Sequence, residues 1–161
     1  MTTSSLSRRT TSPWQFVLAG GLVAGAFDIT FAWAFWAIKV GLSAERIFQS
    51  VAAGLLGDAS FEGGAATAAL GLALHFFIAI TMSFTYYLVA RRWAPLQRSP
   101  WTYGPLYGVL LYAIMNYVVV PLSAAGGGGS KNAWWIGLSI AVHAFLIGTP
   151  IALFSRKALS A

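Results

Sequence analysis

The sequence has no cysteine and very little charge. Without cysteine, the chain forms no disulfide, no thiolate nucleophile and no Cys-ligated metal centre. Charged residues make up 9% of its 161 residues and apolar residues 58%, whereas a typical soluble domain is about 25% charged. So few charges could hardly cover the surface of a soluble protein of this size. A lipid bilayer removes that requirement, because the outside of a helical bundle in lipid can be as apolar as its core.

Four apolar stretches are long enough to cross a membrane as helices. A transmembrane helix needs about 20 mostly apolar residues to span the ~30 Å hydrocarbon core. Aromatic residues gather near the ends of these stretches, as in the aromatic belts of membrane proteins. We therefore predict an all-α integral membrane protein with one domain, a bundle of four transmembrane helices. The predicted helices are residues 14–38, 65–90, 103–120 and 134–154.

A shorter helix is predicted between the first two of these. Ser43 is a suitable N-cap, and the negative charge of Glu45 in the first turn suits the helix dipole. Apolar residues then recur at helical spacing as far as Leu56. Residues 44–57 are too few to cross a bilayer. We expect this helix either to lie in the outer interface or to enter the membrane as a re-entrant segment.

Lysine and arginine are unevenly distributed about the predicted helices. With the N-terminus in the cytoplasm, seven cations lie on the inner side and three on the outer side. The positive-inside rule then predicts that both termini are cytoplasmic. Because the cations stand at helix ends rather than in one stripe, we expect a lipid bilayer as partner and no nucleic acid. The inner cations are Arg8, Arg9, Arg91, Arg92, Arg98, Arg156 and Lys157, and the outer ones are Lys39, Arg46 and Lys131.

The first stretch also has features of a targeting signal. Arg8 and Arg9 precede an apolar run, and Ala32 and Ala34 have the spacing of a cleavage site. The apolar run of about 18 residues is longer than the ~7–15 of most signal peptides. We therefore expect the first helix to remain in the protein.

Small residues recur at a spacing of four in three of the predicted helices. Helices in lipid associate by close packing, because apolar burial gives no net drive between them. The small residues therefore mark predicted contact faces and say little about activity. These helix-packing residues are Gly21 and Gly25, then Ala65, Ala69 and Ala73, then Gly104 and Gly108.

Four polar residues within the apolar stretches fall at a similar depth. With alternating helix directions and a rise of about 1.5 Å per residue, Asp28, His75, Asn116 and His143 all lie roughly 7–15 Å below the outer surface. A carboxylate inside a bilayer costs about 2.5–3.5 kcal/mol even on insertion scales, so Asp28 is a candidate functional residue. Asp28 and His75 each share a helix face with small residues, so we expect both to point into the bundle.

This polar layer has three interpretations. It can fix the register of the helices by hydrogen bonds, each worth about 0.6 kcal/mol. It can bind or conduct protons or a small solute. It can hold a metal ion, since two histidines and one carboxylate form a known ligand set. The sequence lacks the His-x-x-x-His and His-Glu-x-x-His spacings, so we predict no metal site, no cofactor and no catalytic residue.

Every acidic residue of the chain is predicted to lie in the outer half of the membrane or outside the membrane. Glu45, Asp58 and Glu62 join Asp28 in this distribution. These outer-face acids either collect cations at the mouth of a site or are solvated loop charges.

A set of residues in the second half of the chain matches the pattern of a known family. These residues are Leu74, His75, Phe76 and Phe77, then Tyr86 and Tyr87, then Tyr107 and Gly108, then Asn116 to Pro121, and His143. In them the chain resembles the YagU-like proteins of bacterial inner membranes. The resemblance covers about residues 70–157, whereas Asp28 and residues 39–64 have no counterpart in it. It implies a four-helix protein of the bacterial inner membrane and transfers no catalytic residue, because the family is of uncertain biochemical function.

Together these features favour a non-enzymatic accessory or structural component of the membrane. Such a protein would pack against a larger membrane protein or against copies of itself. The alternative is a small transporter or channel for protons or small solutes that uses the polar layer. Since four helices seldom enclose a path alone, that alternative predicts a homo-oligomer.

Overall fold

The computed structural model describes residues 12–127 and 130–161, and every regular element within them is helical. Arg8 and Arg9, which contribute to the predicted orientation and to the possible targeting signal, lie outside these residues. The helices, numbered in chain order, are α1 (Pro13–Val40), α2 (Ala44–Leu56), α3 (Gly64–Ala90), α4 (Ala94–Arg98), α5 (Pro100–Leu122) and α6 (Ala133–Ser160). A 3₁₀ turn, Gly57–Phe61, follows α2.

Four of these helices, α1, α3, α5 and α6, are long and apolar enough to cross a membrane. The shortest has 23 residues and the longest have 28, so at a rise of about 1.5 Å per residue they extend for ~35–42 Å. The predictions of an all-α chain and of four helices able to span a membrane are confirmed. The α5 and α6 helices extend beyond the predicted limits at both ends.

Local sequence signals explain where several helices begin and end. The N-cap Ser43 accepts a hydrogen bond from the backbone N–H of Arg46 at 3.2 Å. Asn132 caps α6 by accepting from the N–H groups of Trp134 and Trp135. Gly41 ends α1 in a left-handed conformation with φ of 72°, which glycine adopts without the steric penalty of a Cβ.

The long helices form an open arc rather than a closed ring. The α1 helix packs against α3 and α6, α6 packs against α5, and the C-terminal part of α6 also meets α3. The α3 and α5 backbones scarcely approach each other in the described part of the chain. We call the two ends of the bundle the α2 end and the α4 end, after the short helix that each carries.

Glycines stand at the helix crossings. A Cβ added to Gly21 of α1 would lie 2.6 Å from Cα of Ile80 in α3. A Cβ at Gly104 of α5 would lie 2.8 Å from Cα of Thr149 in α6, and one at Gly108 would overlap the His143 carbonyl. Real Cβ atoms do not approach so closely, so these backbones are in contact only because the side chain is absent.

The predicted packing face of α3 is wrong. Ala65, Ala69 and Ala73 are all exposed. The contact face is instead the one that carries Gly71, which meets the backbone of Phe48 in α2. Because the first turns of α3 have small residues on every side, a spacing of four cannot tell which face packs.

The crossing at Gly108 can be tested with a single methyl group. We expect Gly108→Ala to destabilise the protein by about 1–3 kcal/mol, as for an overpacked core, because the methyl would push α5 away from α6. Thermal unfolding of the purified protein in detergent measures the effect. The matched control is Gly137→Ala, at a helical glycine whose Cβ would meet open space. Equal thermal midpoints for the two variants would contradict the close crossing.

Candidate functional site

A cavity of about 330 Å³ lies among the long helices in the half of the bundle nearer α2. Asp28 of α1, His75 of α3 and His143 of α6 line it, so three of the four predicted polar residues share one space. Ser50 of α2 and Ser123 after α5 lie at its α2 end. The rest of the wall is mostly apolar.

The position of His75 depends on the close crossing of α1 and α3. Gly25 lies against Phe76 and Ala79, with 3.1 Å between a Cβ added there and Cβ of Ala79. This approach allows Nε2 of His75 to reach the Gly25 carbonyl oxygen at 2.8 Å. Since a carbonyl only accepts hydrogen bonds, Nε2 carries the hydrogen, and Nδ1 of the neutral ring is left as an acceptor.

His143 is anchored in a similar way within α6. Its Nδ1 donates to the Ser139 carbonyl oxygen at 2.9 Å, which leaves Nε2 of the neutral ring as an acceptor. The ring also meets Tyr112 of α5 edge to face, with 5.3 Å between centroids. Each histidine thus uses one nitrogen to hold its position and keeps the other nitrogen for a further partner.

Asp28 differs from the two histidines because no hydrogen bond holds its side chain in place. The half-buried carboxylate makes no hydrogen bond or ion pair with any residue in the ranges that the structure describes. It lies one helical turn from Gly25, so it flanks the crossing that holds His75. A carboxylate among apolar walls is stabilised by a cation or by hydrogen-bond donors.

Asn116 is separated from the other three polar residues. It does not line the cavity, and its Nδ2 donates to the Tyr112 carbonyl oxygen one turn earlier in α5, at 2.9 Å. The predicted layer of four polar residues is therefore a cavity wall with three. Asn116 lies inside a π-helical segment, Met115–Val119, whose wider turn changes the direction of the side chains on it.

Two π-helical segments form part of the cavity wall. Met115–Val119 of α5 and His143–Gly148 of α6 both contribute lining residues. Each segment comes shortly before a proline, Pro121 or Pro150. Proline has no N–H and its ring crowds the carbonyl four residues earlier, so the hydrogen-bond ladder shifts there. In α6 the Ala144 carbonyl accepts both the backbone N–H and the hydroxyl of Thr149, the latter at 3.0 Å.

The outer-face acids lie away from this cavity. Glu45, Asp58 and Glu62 are all exposed, and none lines the wall. Glu45 stands in the first turn of α2 and Asp58 in the first turn of the 3₁₀ segment, where a negative charge suits the helix dipole. This placement agrees with solvated charges rather than a collecting mouth.

Gln49 of α2 is a structural residue that the sequence patterns did not reveal. It is 3% exposed, and its Nε2 donates to the Gly64 carbonyl at 3.2 Å and to Thr67 Oγ1 at 3.5 Å. These bonds join α2 to the beginning of α3, so they hold in place a helix that forms part of the cavity wall. The signal was a glutamine on the buried side of an amphipathic helix, which apolar periodicity ignores.

The geometry bears on metal binding as well. In residues 12–127 and 130–161, no three His, Cys, Asp or Glu side chains lie close enough together to hold a metal ion. Asp28, His75 and His143 are therefore distributed around the cavity rather than directed at one point.

Comparisons with protein-family models, with curated proteins and with solved structures each found no match to the chain. Its function is therefore inferred from the chemistry of this cavity.

The role of Gln49 can be tested by hydrogen exchange. Gln49→Leu removes the bonds to Gly64 and Thr67, each worth about 0.5–1.5 kcal/mol, so amides of α2 should exchange about two- to tenfold faster. Mass spectrometry of the full chain in nanodiscs resolves this segment. Gln15→Leu, at an exposed glutamine of α1, is the control. Unchanged exchange in α2 would mean that Gln49 does not hold this helix.

Proposed function

We propose that the chain is a multi-pass membrane protein that binds a small cation carrying hydrogen-bond donors in the cavity of Asp28, His75 and His143. The observation that supports this most is the carboxylate of Asp28, which lines a cavity without a partner among the described residues. His75 and His143, elsewhere on the same wall, each keep one ring nitrogen that makes no bond to a backbone carbonyl. An ammonium group, with one positive charge and several N–H donors, complements the carboxylate.

Its site would lie within the membrane. Because α1, α3, α5 and α6 are long and apolar enough to span, a bilayer that encloses them would also enclose the cavity. We place the protein in the bacterial inner membrane with both termini cytoplasmic. Exposed cations at the α4 end, Arg91, Arg92 and Arg98, support this orientation. The resemblance to YagU-like proteins belongs to the same proposal.

A second candidate is the non-enzymatic accessory or structural component. It is favoured by the bond of His75 to the Gly25 carbonyl, which joins α3 to α1, because polar residues that only fix helix register make such bonds. The structural candidate does not account for Asp28, whose carboxylate makes no hydrogen bond or ion pair within the described ranges. We therefore rank binding of a cationic solute first, with transport of that solute by an oligomer as its extension.

Asp28 provides the test of this proposal. Asp28→Asn keeps the shape and removes the charge, so we expect methylammonium to bind about 10- to 100-fold more weakly, the range for a lost charge-assisted hydrogen bond. Equilibrium binding to purified protein in nanodiscs measures this. Glu45→Gln, at an exposed acid outside the cavity, should bind as the wild type does. Unchanged binding in Asp28→Asn together with lower thermal stability would favour the structural candidate instead.

The proposed orientation has its own test. A reporter enzyme that is active only in the cytoplasm, fused after Ala161, should be active in bacterial cells. The same reporter inserted in the loop at Ala125 should be inactive, because this loop lies at the opposite end of the bundle. Activity of the inserted reporter alone would reverse the orientation.

A further inference from the structure

A second, larger concavity of about 650 Å³ separates α3 and α5. It occupies the gap in the arc where the two backbones scarcely approach each other, so it opens sideways. Several side chains that line it are largely exposed, among them Phe77 at 67%, Leu106 at 60% and Leu110 at 51%. In a bilayer, this groove would face the lipid chains.

Most of the polar side chains that line the groove are already paired. Thr81 and Thr85 each donate to a carbonyl of α3 one turn earlier, at 2.8 Å. The hydroxyl of Tyr107 reaches across from α5 and donates to the Met82 carbonyl at 2.8 Å. The Tyr103 hydroxyl and the Trp93 indole N–H, toward the α4 end of the groove, make no hydrogen bond within the described residues. The rest of the groove presents hydrocarbon and ring surface and suits an apolar chain.

One end of the groove adjoins the cavity of Asp28. Ile78 and Met82 of α3, and Met115 and Val119 of α5, line both spaces. The lining runs from Phe77 to Val89 on α3 and from Tyr103 to Val119 on α5, which is about 18 Å and about 24 Å at a rise of ~1.5 Å per residue. Half of the ~30 Å hydrocarbon core, the depth that one lipid chain fills, is ~15 Å. The groove is thus long enough for one chain, with a carboxylate beyond one end.

Resting on the function proposed above, we propose that the ligand is a lipophilic amine with a single apolar chain. Its ammonium group binds Asp28 in the cavity, and its chain lies in the groove between α3 and α5. Charge complementarity selects this occupant, because a neutral lipid or a helix of a second copy could cover the groove but would leave the carboxylate unmatched. The ligand then enters from the bilayer, sideways between the two helices.

Filling the groove tests this proposal. Leu110→Trp places a bulky ring in the groove without changing the cavity, and Leu138→Trp places one on an exposed part of α6 that lines neither space. Radiolabelled dodecylamine and methylamine are bound to the full chain in phosphatidylcholine nanodiscs. We expect Leu110→Trp to weaken dodecylamine binding by about tenfold or more, because the ring would take the space of the chain and remove its van der Waals contacts with the groove. Methylamine binding should be unaffected, and Leu138→Trp should bind both amines normally.

The outcomes separate the two proposals. If Leu110→Trp binds dodecylamine normally while Asp28→Asn has lost methylamine, the groove inference is overturned and the cavity proposal stands. If Asp28→Asn binds methylamine normally, the cavity proposal itself fails. Dodecanol that competes as well as dodecylamine would show a chain site without preference for the amine, and would overturn the inference. The inference would also be overturned if native mass spectrometry showed a dimer of the unmodified chain that Leu110→Trp dissociates. Ile114→Trp, in the same groove, replaces Leu110→Trp if that variant does not fold.

Discussion

Gly21 and Gly25 bring α1 onto α3, and Gly104 and Gly108 bring α5 onto α6, so closely that a methyl group at these positions would crowd or overlap the neighbouring helix. Helices that span a bilayer have no hydrophobic reason to associate with each other, so in a membrane this close packing would hold them together. It also makes the distances between neighbouring helices unequal, because only some pairs of helices meet at glycines. Glycines hold α1 against α3 and α5 against α6, and Gly20 brings α1 against α6, where an added Cβ would lie 2.9 Å from Cβ of Phe154. The gap between α3 and α5 is the result.

The cavity and the lateral groove both follow from that arrangement. The crossing at Gly25 places its carbonyl oxygen within reach of His75, and the crossing at Gly108 places α5 against the backbone of His143. The cavity is the space that remains between these two crossings, and Asp28 lies on its wall. The lateral groove is the space where no glycine brings two helices together. A polar cavity and an apolar groove therefore adjoin, which is the pattern that an amphiphilic ligand requires.

The prolines shape the cavity further. Pro121 and Pro150 each follow a π-helical segment, and both segments contribute to the wall. A segment with wider turns changes which side chains point inward. This change explains why Asn116, whose depth matches that of Asp28, bonds to its own helix instead of joining the cavity. Depth along a helix and direction around it are separate properties, and only depth can be estimated by counting residues.

Composition and apolar run length by themselves determined that the chain is helical and has four helices able to span a membrane, because the length of a span follows from bilayer thickness. Ser43 likewise predicted where α2 begins, since capping is a local interaction. Only the tertiary structure decided which face of α3 packs, that Gln49 joins α2 to α3, and that the arc stays open between α3 and α5. In a chain whose helices are apolar or small on every side, periodicity does not distinguish a contact face from a lipid face. The choice is made by the fit of whole surfaces against each other.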